Sequence, residues 1–128
     1  MGKILTEISE GELLDKITIL EIKLNEIKNQ SLIKEVQKEY EILTKIRDKN
    51  IKENKIIDDL FVELKKVNKK IWDIENIKRN CEKNGIFNEK FINVSRDEYK
   101  ANDQRAKIKS KINSILDSNI KEIKQHEL

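Results

Sequence analysis

The chain has 128 residues, the size of one ordinary domain, and its 27 basic and 24 acidic residues leave a formal net charge of +3. It has no proline, three glycines, one cysteine and one histidine, which excludes an intrachain disulfide, a Cys/His zinc site and the turn punctuation of β-sandwiches and barrels. With 40% charged and 37% hydrophobic residues, the composition predicts long solvated helices around one core; the longest apolar run, Leu60-Phe61-Val62, is far too short for a membrane span or a signal-peptide core.

Residues 1–8 alternate weakly through Ile4, Thr6 and Ile8 and predict an extended arm. Ser9 and Glu12 form a capping box, in which each side chain satisfies a free backbone donor of the other, so a helix is expected to start there. Leu13, Ile17, Leu20, Leu24 and Ile27 recur every three or four residues, and Leu14, Ile19 and Ile22 widen that stripe, which predicts more than one packing neighbour. Asn29-Gln30-Ser31 reads as a turn, followed by a second stripe of Leu32, Val36, Tyr40, Leu43 and Ile46, with the polar stretch 48–55 as the next connection. The third helix is expected over residues 55–82, about 42 Å at 1.5 Å per residue. Leu60, Leu64, Val67, Ile71, Ile74 and Cys81 keep its frame, Lys78 interrupts it, and Gly85 closes it in the left-handed conformation. Residues 86–94, with Phe87 and Phe91, are expected to fold back as a plug or short turn. A second capping box, Ser95 and Glu98, starts the fourth segment, carried by Tyr99, Ile108, Ile112, Ile115 and Leu116. The tail 118–128 is expected to be a short helix or a frayed end.

The pattern is therefore all-α: one helical domain over 1–128, built as an antiparallel bundle or long α-hairpin of three to four helices with coiled-coil-like packing. The heptad faces exceed what so small a bundle can cover, which predicts a cytoplasmic homodimer. Lysine outnumbers arginine 23 to 4 and isoleucine outnumbers valine 22 to 4, the signature of an AT-rich coding sequence, so the lysine excess does not itself report a nucleic acid. Lysines also interleave with glutamates through every helix, where a phosphate-tracking face needs an excess of one sign; no nucleic-acid partner is expected.

Catalytic and cofactor motifs are absent: there is no phosphate loop, HExxH, GxSxG or paired CxxC, so no cofactor is expected. Cys81 lies on a core position and reads as a buried spectator, and His126 lies in the tail. Two polar constellations remain. Glu12 and Asp15 share a helical face at i,i+3, the spacing by which helical carboxylates hold a divalent cation, and are the only metal candidates. No well-spaced second carboxylate pair exists, so a capping carboxylate with a Glu12–Lys16 pair on a solvated face is the plainer reading. The second constellation is a row of Asn68, Trp72, Glu75 and Arg79 beside the third stripe, which antiparallel packing sets against Asn102, Arg105, Lys109 and Asn113. Such facing rows make either a polar pocket for an anionic or sugar-like ligand or a structural network that fixes helix register.

The strings SEGELLDKITILEIKLNEI (9–27), ELKKVNKKIWDIENIKR (63–79) and YKANDQRAKIKSKIN (99–113) resemble a small bacterial family classed as a domain of unknown function. Gly11, Glu12, Asp15, Lys16, Asn68, Trp72, Glu75, Asn102, Asp103, Arg105 and Lys109 match its pattern. The resemblance implies a gene context near glycosyltransferases and surface-polysaccharide synthesis, and it implies no catalytic role. The leading expectation is a non-enzymatic helical interaction module that self-associates or binds a protein partner. The rival is a small all-α enzyme or binding protein for an anionic metabolite or nucleotide sugar, using Asn68, Trp72, Glu75, Arg79, Asn102, Arg105 and Lys109.

Overall fold

The computed structural model describes residues 2–126, so Met1 of the expected arm and residues 127–128 of the tail lie outside it. Four helices, α1 (Glu10–Glu26), α2 (Gln30–Asn50), α3 (Lys55–Asn84) and α4 (Glu89–Ile115), make the chain all-α, with no strand among the described residues. α3 and α4 form a long antiparallel hairpin, α1 packs against both and against α2, and α2 packs against α1 alone among the helices.

Each helix starts where a short polar side chain takes over orphaned backbone donors. The Ser9 hydroxyl accepts from Glu12 N at 3.0 Å, Asn29 caps α2 through Ser31 N and Leu32 N, and Asn54 caps α3 through Ile56 N and Ile57 N. Gly85 sits at φ +65° and ends α3, accommodating a left-handed backbone without a Cβ penalty. α2 takes in Gln30 and Ser31 of the expected turn and extends to Asn50, so its flanking connections are residues 27–29 and 51–54 rather than 29–31 and the whole 48–55 stretch.

The start of α4 differs from expectation. Residues 89–94 belong to the helix, capped by Asn88, whose Oδ1 accepts from Lys90 N at 3.1 Å. The face turned to the other helices runs through Phe91, Val94, Glu98, Ala101, Arg105, Ile108 and Ile112, a three–four alternation that begins at Phe91, four residues before Ser95. Ser95 Oγ is instead buried without a hydrogen-bond partner. Tyr99 and Ile115 consequently point outward, 55% and 40% exposed, and Ala101 holds the contact that Tyr99 was expected to make.

The core gathers Leu13, Leu14 and Ile17 of α1, Ile57, Leu60, Leu64 and Val67 of α3, and Ala101, Ile108 and Ile112 of α4, with Tyr40 and Leu43 of α2 packed at its edge. Ile17, Leu64 and Ile112 are completely buried. All of this lies in one half of the hairpin. Beyond it, the C-terminal half of α3 and the N-terminal half of α4 continue as a two-helix arm, on which Ile74 and Cys81 of α3 are buried. At its tip, Phe87 and Phe91 meet edge to face with ring centres 5.4 Å apart. After Ile115 the chain leaves the helix, and residues 118–126 run back along α4 without regular structure.

Candidate functional site

The polar residues that interrupt the core stripes converge where α1, α3 and α4 meet. Asp15 is 1% exposed, yet its carboxylate is fully engaged: Arg105 Nε and Nη2 donate to its two oxygens at 2.9 and 2.5 Å, a forked charge-assisted pair across α1 and α4. Asn68 of α3 donates from Nδ2 to Asp15 Oδ1 and to Thr18 Oγ1, both at 2.8 Å, and the Thr18 hydroxyl donates back to Asp15 O at 2.7 Å. Burial pushes the Asp15 carboxyl up, but the bonds from Arg105 and Asn68 and the charges of Arg105 and Lys109 more than offset this and hold it below the ordinary aspartate value.

One turn earlier, Lys109 Nζ donates to Glu12 Oε2 at 2.6 Å and lies 3.9 Å from Asp15 Oδ2. The expected Glu12–Lys16 pair is weak, at 3.9 Å with Lys16 exposed. Glu12 turns to α4 instead because the helix there offers a less solvated ammonium, so only half of the Ser9–Glu12 capping box is used.

Gly11 explains how the helices come so close. Its N donates to Asn113 Oδ1 at 2.7 Å, and a Cβ at this position would meet that oxygen at 2.6 Å and Lys109 O at 2.7 Å. Asn113 Nδ2 donates to Glu122 Oε2 at 2.8 Å, and Ser9 Oγ donates to Glu122 Oε1 at 2.6 Å, which stitches the irregular C-terminal segment to the start of α1. Ser118 adds bonds to Glu10 and to Asn113, and Asn119 Nδ2 donates to Glu7 Oε2.

Of the two rows expected to face each other, Asn68, Arg105 and Lys109 meet in this network and Asn102 stands half-buried one turn away. Glu75 and Arg79 belong to the arm. They lie 3.8 Å apart with the Arg79 side chain 79% exposed, and the arm's inner pair is Lys78–Glu98 at 2.8 Å. The neighbouring Glu98 carboxylate raises the Glu75 carboxyl above its usual value. Trp72 is half-buried on α3. Glu12 and Asp15 are taken up by Lys109 and Arg105, and no group of three or more His, Cys, Asp or Glu among the described residues is placed to hold a metal ion.

Sequence reasoning missed Thr18, Glu122 and Ser118. Thr18 was recoverable, lying at i+3 from Asp15 on the same helical face. Glu122 and Ser118 sit in irregular chain and carry no periodic signal. The segment they anchor forms one wall of a cleft of about 690 Å³ beside α4, lined by Asn102, Arg105, Lys109 and Asn113 on the helix and by Glu122 and Lys124 on the returning chain. Among the described residues, no helix is long and apolar enough to cross a membrane.

Compared with known proteins, the chain matches the model of a family of unknown function over residues 4–127, nearly its whole length. No curated protein and no solved structure matches it.

Proposed function

The chain belongs to that family of unknown function, DUF6165, and from its geometry we propose a non-enzymatic helical assembly module that forms a cytoplasmic homodimer through α2. One observation carries this reading: α2, 21 residues and about 32 Å long, contains no buried residue. Val36, Tyr40, Leu43 and Thr44 turn toward α1 and are half-buried. Around the other side, Leu32, Ile42 and Ile46 remain 54%, 51% and 43% exposed.

The charges on that outer side are self-complementary. In an antiparallel two-fold pair centred on Ile42, Glu39, three residues before the centre, meets the partner's Lys45, three residues after it. Glu35, seven before, meets the partner's Lys49, seven after. Ile42 packs on its own copy, and the aliphatic stem of Lys38 covers the partner's Ile46. A parallel pair would instead set like charges side by side. The polar network supports a structural rather than a catalytic role, because Asp15, Glu12, Arg105 and Lys109 engage one another. The surface-polysaccharide context implied by the resemblance is the process such a module would serve.

Light scattering tests this directly. The expected mass is twice 15.2 kDa, with a weak, salt-sensitive equilibrium because the contact is short. Glu39→Lys or Lys45→Glu alone should weaken the dimer about tenfold by creating two symmetric repulsions, and the double exchange should restore it. Ile42→Cys should give a covalent dimer on mild oxidation. A monomer at every concentration overturns the reading.

A further inference from the structure

Of the thirteen asparagines, Asn84 alone is followed by glycine. With no Cβ on Gly85, nothing shields its backbone nitrogen, which can approach the Asn84 side-chain carbonyl as an internal nucleophile. Asn113, which precedes the small Ser114, is buried in α4 and bonded to Gly11 and Glu122. Asn84 and Gly85 stand at the opposite extreme, in the turn that ends the arm. Residues 82–90 are all exposed, and apart from chain neighbours no heavy atom lies within 4 Å of where a Cβ on Gly85 would stand.

The folded turn commits both reacting groups to other partners. Asn84 Nδ2 donates to Asn80 O at 2.9 Å and to Asn80 Oδ1 at 2.7 Å. Gly85 N donates to Glu82 O at 3.2 Å, and Ile86 N donates to Cys81 O at 2.8 Å, the pair of bonds that closes α3 around the left-handed Gly85. Attack on the side chain therefore waits for the last turn to fray. Because that turn is exposed, fraying costs far less than unfolding the core.

We propose that Asn84 is the deamidation site of this chain and that its conversion unfastens the tip of the arm. In the opened turn, Gly85 N gives up its proton to water or hydroxide and bonds to Asn84 Cγ. The Cγ–Nδ2 bond breaks, and the nitrogen leaves as ammonia with a proton taken from solvent. Water then opens the cyclic imide at either carbonyl, which yields aspartate or, with the main chain rerouted through Cγ, isoaspartate. Nothing is oxidised or reduced: one water is consumed and one ammonia released. Neither product rebuilds the turn. A carboxylate only accepts, so both bonds to Asn80 are lost, and its charge falls at the negative end of the α3 dipole, two residues from Glu82. Isoaspartate also lengthens the main chain by one carbon between the groups that close the helix. None of this depends on a dimer through α2.

The full chain, incubated in warm, mildly alkaline buffer, tests this by fragment mass spectrometry. The mass gain of amide-to-acid exchange should appear at Asn84 before any other asparagine. The urea-unfolded chain should convert about tenfold faster, since the cost of opening the turn is gone. Asn80→Ala, an exposed change that removes one of the two bonds to the Asn84 amide, should speed conversion of the folded chain about threefold. Asn84→Gln, which would need a larger ring, should gain no mass at this position. Exchange of the Ile86 amide proton reads the turn itself: it should be about threefold faster in Asn84→Asp, and faster still in the isoaspartyl fraction. A folded chain that keeps Asn84 intact while the unfolded chain converts overturns the site, and equal folded and unfolded rates overturn the restraint by the turn. Unchanged Ile86 exchange in Asn84→Asp and in the isoaspartyl fraction overturns the unfastening.

Discussion

Asp15 shows how a single residue sets the character of the fold. It occupies a core face yet is ionised, because Arg105, Asn68 and Lys109 reach it from two other helices. Removing one partner strands the other, so Asp15→Ala should destabilise by about 3–5 kcal/mol, measurable by urea unfolding. The pH dependence follows from the sign. A carboxyl whose folded value is depressed contributes stability above its unfolded value, about pH 4, and that contribution is lost as pH falls through the folded value. Glu122 acts in the same direction: burial raises it, but Ser9, Asn113 and the Lys109 charge prevail and lower it. Stability should therefore fall on acidification below about pH 4, and Asp15→Asn should flatten that decline. An unchanged acid limb in the variant would place the titrating group elsewhere. The sequence made Asp15, Asn68, Arg105 and Lys109 legible as polar interruptions of apolar stripes. It could not tell that Arg105 pairs with Asp15 of α1 rather than with Glu75, because register between helices is set by three-dimensional packing.

At the scale of elements, the caps at Ser9 and Gly85 were readable because each follows from local backbone chemistry. The start of α4 was not: Ser95-x-x-Glu98 has the form of a capping box, but apolar contact with α3 from Phe91 and Val94 outweighs a local motif. The α1–α4 crossing rests on Gly11. Gly11→Ala gains intrinsic helix propensity, yet its methyl must displace Lys109 O and Asn113, so a net loss of about 1–3 kcal/mol is expected. A stabilised variant would mean that α1 can lift away from α4 freely. The projecting arm lacks the third helix that covers residues 57–71. Amide exchange along residues 74–100 should accordingly be faster than at Leu64 or Ile112, and equal protection would show that the hairpin opens only with the whole chain.

For the whole molecule, the smallest helix is the centre: α1 meets each of the other three, and contacts more than 100 residues apart in sequence, such as Gly11–Asn113 and Ser9–Glu122, join the two ends of the domain. The all-α class and a count of three to four helices were evident from periodicity, whereas this closure was not, since half of it runs through a segment with no repeat. Glu122→Ala removes the bonds that tie the returning chain to Ser9 and Asn113. The core beneath should stay folded, with a melting temperature a few degrees lower at most, while limited proteolysis at 117–126 accelerates. Resistance to cleavage equal to that of the parent would mean that Ser118 and Asn119 hold the segment unaided.

Cys81 gives the arm a clock. Its thiol is buried on α3, 3% exposed, and no second thiol competes with it. An aromatic disulfide reagent can reach it only when the hairpin parts, so the labelling rate counts openings of the arm separately from unfolding of the core. Comparing that rate in the parent and in Glu122→Ala, which frees the contact at Asn113, would reveal whether events near one end of α4 are felt at the other.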